Sequence, residues 1–228
     1  EGDGAGAQAA EAQGHPYPFF LAHPLQLPVA QFDAALGPPA DWIVEWKWDG
    51  IRAQLVRRAG ATWLWSRGEE LVTDRFPELQ ALGDEALPDG TVLDGEIVVW
   101  QPARADAPAQ PRPFADLQKR IGRKSLGPKL LREVPVVLLA YDLLEEHGQD
   151  LRGLPLQARR ARLDALLART DHPALVPSPV LQGQSWAELA RLRDSARALG
   201  VEGMMLKGRT AHYGVGRTRD VGIWWKWK

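Results

Sequence analysis

The chain has no cysteine, which removes disulfides and thiolate metal sites from consideration and makes a reducing compartment, the cytoplasm, its natural setting. It also lacks net charge: 28 Lys and Arg stand against 29 Asp and Glu, a balance of -1. No global positive field therefore advertises a nucleic-acid partner, and any such partner must be held by local patches. No apolar run approaches the ~20 residues of a membrane span, and the N-terminus has no signal-peptide core. The five histidines are scattered without metal-ligand spacing. Methionine is nearly absent, with only Met204 and Met205, and the chain opens on Glu1. Its start codon is therefore expected elsewhere, and the strand-like GIWWKWK that ends without a turn or cap at Lys228 suggests a piece of something longer. What is present is 228 residues with 45% hydrophobic content, enough to bury a substantial core in one large domain or two small ones.

Residues 1–14 (EGDGAGAQAAEAQG) carry few large apolar side chains, and 1–16 reads as a flexible tail or linker ahead of one structured unit, 17–228. A short helix from about Val29 to Leu36 stops at Gly37-Pro38-Pro39. WIVEWKW, IRAQLVRR and ATWLWSR read as strands, the last two joined at Ala59-Gly60; Asp49-Gly50 predicts a hairpin that leaves Lys47 at a strand end. DRFPELQALGDEAL is mostly helical, GTVLDGEIVVW a strand interrupted by Asp-Gly-Glu, and 101–113 a proline-rich, disordered surface loop. The basic segment FADLQKRIGRKSLGPKLLREV is helical and leads to PVVLLAYDLLEE, whose continuous apolar run fits a central strand. Helices near 156–168 and 185–198 flank ALVPSPV, and GVEGMMLK and GIWWKWK are the closing strands. Many strands, few helices and hairpin turns in place of regular crossovers favour an α+β fold with largely antiparallel sheets flanked by helices.

Four places share one anomaly, charged side chains inside otherwise apolar strands: Lys47 with Asp49 and Arg52, Asp94 with Glu96, Glu202 with Lys207, and Lys226 with Lys228. Burying one unpaired charge costs several kcal/mol, so the economical arrangement brings all four to one cleft. Strand alternation puts Glu45, Lys47 and Asp49 on one face and Trp46 and Trp48 on the other, and likewise sets Lys226 and Lys228 opposite Trp225 and Trp227. Cations gathered with carboxylates suit a polyphosphate and its divalent metal.

K-W-D-G-I-R at 47–52 resembles the K-x-D-G-x-R signature of the covalent nucleotidyltransferases, which comprise ATP-dependent DNA ligases, RNA ligases and mRNA capping enzymes. SRG at 66–68, LDGEIV at 93–98, LAYDLL at 139–144, EGMMLK at 202–207 and WWKWK at 224–228 follow in that family's order. The set is similar to the adenylation domain of bacterial ATP-dependent DNA ligases from about Tyr17 onward, which implies the α+β adenylation fold around an ATP cleft. The resemblance implies roles as well. Lys47 is the nucleophile that forms a covalent lysine-AMP intermediate, a step that requires the uncharged amine. Glu45 contacts the adenine amino group and Tyr141 stacks on the purine; many relatives have phenylalanine there. Arg52 and Arg67 hold sugar and phosphate, and Lys226 and Lys228 neutralise charge at the α-phosphate. Lys207 joins the nucleotide ligands. Glu96 reaches the ribose or a metal, and Glu202 binds the catalytic metal, magnesium or manganese.

In the complete reaction AMP passes to a 5′-phosphate at a nick and the 3′-hydroxyl displaces it. Nicked double-stranded DNA is thus the implied partner, read without sequence preference by a monomer, and Lys119, Arg120, Arg123 and Lys124 are candidates for backbone contact. The family also implies an OB-fold domain after WWKWK and, often, a DNA-binding domain before YPFF, neither of which this chain contains. Two alternatives stay open: an RNA ligase or capping-type enzyme on the same fold, where Glu45 argues for adenine over guanine and competition between nicked DNA and nicked RNA decides the rest, and a non-catalytic nucleotide- or DNA-binding module.

Overall fold

The structure, a computed structural model, describes residues 13–228. After a two-residue strand β1 (His23–Pro24), a 3-10 turn at Val29–Gln31 continues into α1 (Phe32–Leu36). Then come β2 (Trp42–Trp46), β3 (Ile51–Arg58), β4 (Ala61–Ser66), α2 (Pro77–Ala86), β5 (Thr91–Gln101), β6 (Gln110–Pro111), α3 (Phe114–Ile121) and α4 (Pro128–Glu133). The chain closes through β7 (Val136–Glu146), β8 (Gln149–Asp150), α5 (Leu156–Ala168), β9 (Leu175–Pro177), α6 (Trp186–Arg193), β10 (Met204–Gly208) and β11 (Trp224–Trp227).

Two sheets result. One has the order β1-β11-β10-β2; the other runs β4-β3-β5-β7-β8, with β6 on β5 and β9 on β7. Every pairing is antiparallel except β1 with β11 and β7 with β9, the largely antiparallel α+β arrangement expected. Leu79 and Leu82 of α2, Leu117 of α3 and Leu163 and Leu166 of α5 bury against the larger sheet. Val98, Val137 and Leu139 share a second core with Val44, Trp46, Met204, Leu206 and Trp227 of the smaller sheet. Apolar burial of this kind, at roughly 25 cal/mol per Å², holds the sheets together, and their junction forms the site.

Three expectations are corrected. Asp49-Gly50 is no hairpin, because β2 and β3 belong to different sheets; the dipeptide carries the chain from one sheet to the other. Glycine is needed there because a Cβ on residue 50 would lie 2.2 Å from the Ile97 carbonyl oxygen. Gly50→Ala is therefore expected to destabilise the fold by about 1–3 kcal/mol, read as a lower unfolding midpoint in denaturant. A true tight turn occurs at Ala59-Gly60, with φ of 50° and 74°, both in the left-handed region that such hairpins use. The proline-rich segment 101–113 is structured: Gln110 and Pro111 pair with Gln101 and Trp100, and Arg112 N–H donates to Val99 O at 2.8 Å. Finally, residues 1–12 of the expected tail lie outside the described residues, but 13–16 pack on the larger sheet. The buried Trp65 indole needs an acceptor and donates to Gly14 O at 2.7 Å, while Arg58 donates to Gln13 O and His15 O.

Candidate active site

A cleft of about 340 Å³ opens where the sheets meet, and Glu45, Lys47, Arg52, Arg67, Glu96, Tyr141, Glu202, Lys207, Lys226 and Lys228 all line it. These side chains come from β2, β3, β5, β7, β10, β11 and the connections beside them. Strand alternation explains part of the convergence. Along β11, Trp224, Lys226 and the following Lys228 face the cleft, whereas Trp225 and Trp227 join the second core. Lys47 follows β2 and is anchored by its backbone, which receives Glu202 N–H and donates to Gly203 O at 2.8 Å each.

Burial grades the cleft from a closed end to an open one. At the closed end Glu45 and Lys207 are each 1% exposed and Tyr141 is 8% exposed. Lys207 Nζ lies 2.5 Å from Glu45 Oε2 and sits over the Tyr141 ring, 3.7 Å from its centroid, with Trp224 at 4.4 Å. Its ammonium is thus committed to a carboxylate and two aromatic faces. Burial, with Asp94 nearby, raises the Tyr141 phenol well above its ordinary range, so this residue offers a protonated, planar surface. Glu45 also accepts from Arg160 Nη1 at 2.8 Å.

Lys47, Arg52 and Glu96 are intermediate in exposure. Lys47 Nζ donates to Glu202 Oε2. Arg52 is held by Asp94 through Nη2 at 2.7 Å and Nε at 3.3 Å, by the Phe20 carbonyl, and by Tyr213 OH at 3.1 Å. The Glu96 carboxyl is pushed up to about 8, chiefly by burial, with Asp94 and Glu202 adding to the rise and Arg52 and Lys47 opposing it. Between the ordinary carboxylate range and about pH 8, the folded protein then keeps a proton that the unfolded chain has lost. Stability should fall as pH rises through that interval and level off above it. Melting measured from pH 5 to 9 should show this slope, and Glu96→Gln should remove most of it.

The open end is cationic. Arg67 and Lys228 are exposed there, and Lys226 is held below its ordinary range, first by burial and then by Arg217, Lys228, Lys47 and Arg67. Such repulsion among cations is relieved when phosphate binds. Among the described residues no three His, Cys, Asp or Glu side chains cluster to hold a metal. Glu96 and Glu202 nevertheless line one cleft, and Glu202 adds to the rise in Glu96 that burial chiefly causes. That pair fits magnesium, which keeps several waters and takes one or two carboxylates plus substrate phosphates.

Sequence reasoning missed Arg217, Tyr213 and Arg160. Arg217 lines the cleft with its Nε donating to Ala22 O at 3.1 Å, yet it lies in a glycine-rich connection that has no helix or strand periodicity to orient it. Tyr213 donates to Asp94 Oδ2 at 2.7 Å from the same connection.

The basic helical segment divides. Lys119, Arg123 and Lys124 are exposed, Lys119 with Asp116 at 3.2 Å. Arg120 is corrected: it is 0% exposed, donates to Glu78 at 2.6 and 2.7 Å and to the carbonyls of Arg75 and Val134, and lies over the Phe76 ring. Its spacing explains this, because positions 117 and 120 share a helix face and Leu117 is in the core. Arg120 ties α3 to α2 and is withdrawn from any polyanion. No helix among the described residues is long and apolar enough to cross a membrane.

Residues 20–228 match the family described as the ATP dependent DNA ligase domain. The chain is 35% identical to a probable DNA ligase of Koribacter versatilis over 89% of this chain and 37% of that protein. It is 38% identical to a DNA ligase of Haloferax volcanii over 86% of this chain and 33% of that one. It thus spans about a third of the length of these relatives. Among solved structures, mycobacterial DNA ligase D complexed with ATP and MES is similar at 30% identity and a TM-score of 0.67, covering 92% of this chain and 59% of that one.

Proposed function

The chain belongs to the ATP-dependent DNA ligase family, and on that premise we propose that its cleft binds ATP and transfers AMP to Lys47, the first step in sealing nicked duplex DNA. One observation carries the reading: Lys47 lines a single cleft together with the buried Glu45 and Tyr141, suited to a purine, and the cations Arg67, Lys226 and Lys228. The Tyr141 ring supplies a stacking face and Glu45 an acceptor for the adenine amino group, while Arg52, Arg67, Lys226 and Lys228 surround the phosphates. The Lys47 ammonium, paired with Glu202, first releases one proton to solvent, which leaves Glu202 ionised. Its nitrogen lone pair then forms a bond to the α-phosphorus, and the bond from that phosphorus to the bridging oxygen breaks. Pyrophosphate leaves with the electron pair, the nitrogen, now bonded to phosphorus, sheds its remaining extra proton to solvent, and the neutral lysine-AMP phosphoramidate remains. A divalent cation held by Glu96 and Glu202 would supply charge neutralisation at the phosphates.

In later steps AMP moves to the 5′-phosphate of a nick and the 3′-hydroxyl displaces it. The exposed Lys119, Arg123 and Lys124 would contact DNA backbone, a salt-sensitive interaction without sequence preference. Cytoplasmic location and a monomeric state complete the proposal. Intact mass after incubation with ATP, magnesium and pyrophosphatase tests its first step. One added AMP with ATP and none with GTP is the expected result, and an unchanged mass with ATP overturns it. Competition between nicked DNA and nicked RNA, with nicked DNA winning, tests the substrate.

A further inference from the structure

We infer that Arg160, on α5, is a positioning residue that sets base selectivity by fixing the carboxylate of Glu45; this rests on the adenine-binding role proposed above for the closed end of the cleft. Arg160 lies outside every motif that led to the cleft, yet its guanidinium is nearly buried and fully engaged. Nη1 donates to Glu45 Oε1 at 2.8 Å, Nη2 to the carbonyl of Ser178, and Nε to Asp164 Oδ1 at 3.2 Å. The Ser178 hydroxyl in turn accepts from the indole N–H of Trp48 at 2.9 Å, another residue of the cleft wall. One planar group thus clamps Glu45 in β2 of the smaller sheet to the segment that follows β9 of the larger one.

The chemistry of the clamp bears on selectivity. A carboxylate accepts hydrogen bonds only, so Glu45 favours a base with an amino group facing it and disfavours one with a carbonyl. That preference depends on where its oxygens point. Lys207 holds Oε2 as a compact point charge, whereas Arg160 holds Oε1 from a rigid fork. Without Arg160 one oxygen loses its directional partner, and Glu45 can turn toward Lys207 alone. The discrimination between a purine amino and a purine carbonyl should then fall, because a site rejects the wrong group only while its own polar atoms are fixed.

The test measures lysine-AMP or lysine-IMP formation with ATP and inosine triphosphate for wild type, Arg160→Gln, Arg160→Lys and Asp164→Asn. For Arg160→Gln the ATP-over-ITP ratio of kcat/KM should drop by at least about five-fold. The loss should appear mainly as a higher KM for ATP, and the ATP-over-dATP ratio, which reports on the sugar, should not move. Arg160→Lys should recover part of the ratio, and Asp164→Asn, which removes only an exposed contact, should keep it. A merely structural role for Arg160 would lower the melting temperature while leaving the ATP-over-ITP ratio unchanged, and that result overturns the inference. If Arg160→Gln does not fold, an Arg160→Lys ratio equal to that of wild type overturns it in the same way. Wild type that forms no adduct with ATP rejects the nucleotidyl-transfer reading instead, so the two failures are distinguishable.

Discussion

Lys47→Ala is expected to abolish the AMP adduct, lowering its rate of formation by at least about 1,000-fold, the scale that applies when a covalent nucleophile is removed. The change deletes the nitrogen proposed to make the new bond. Its effect on the fold should be small. The Lys47 side chain is 22% exposed and its one carboxylate partner, Glu202, is 37% exposed, and such partly solvated pairs are worth about 0–1 kcal/mol. Melting should therefore stay close to that of wild type while the adduct disappears, a combination that general unfolding cannot produce. Lys47→Arg should be as inactive, because a guanidinium keeps its charge at any accessible pH and has no lone pair to offer. Intact mass of both variants after ATP and magnesium is the measurement. A normal adduct on Lys47→Ala would place the nucleophile elsewhere in the cleft.

Much of this site could be read from the sequence because its motifs are short and local. Strand alternation alone puts Lys226 and Lys228 on one face, and the same rule separates them from Trp225 and Trp227. Charges in apolar strands signalled the cleft because burial without a partner is costly. The limits of that reasoning are equally physical. Asp49-Gly50 has the composition of a hairpin, and nothing nearby in sequence reveals that Gly50 must clear the backbone of β5 instead. Arg120 reads as one more cation in a basic run, since its neutralisation by Glu78 is made 42 residues away. Arg160 sits 115 residues from Glu45, and helical periodicity cannot say that a residue on α5 reaches into another sheet. Local spacing finds groups that act together on one element; long-range pairs require the fold.

The pair that supports Arg52 should carry the largest stability cost in the site. Asp94 is 0% exposed and accepts from Arg52 twice and from Tyr213 once. Asp94→Ala leaves a guanidinium with Phe20 O, Tyr213 OH and aromatic neighbours but without its hydrogen-bonded carboxylate, a situation that costs about 3–5 kcal/mol. For a chain of this length that corresponds to a fall in melting temperature of roughly 6–20 °C. The same change frees Arg52 from the cleft wall, so adduct formation should slow even at temperatures where the variant is fully folded. Asp142→Ala provides the comparison. Asp142 is equally buried and paired with Arg159 at 2.8 and 3.0 Å, so its stability loss should be similar. It reaches the cleft only indirectly, since Arg159 lies over the Tyr213 ring whose hydroxyl binds Asp94. Well below its melting point Asp142→Ala should therefore form adduct faster than Asp94→Ala. Because Tyr213 joins the two pairs, the double variant should lose less stability than the sum of the single losses. Equal adduct rates for the two single variants would mean that Asp94 supports the fold alone, and that Arg52 keeps its place without it.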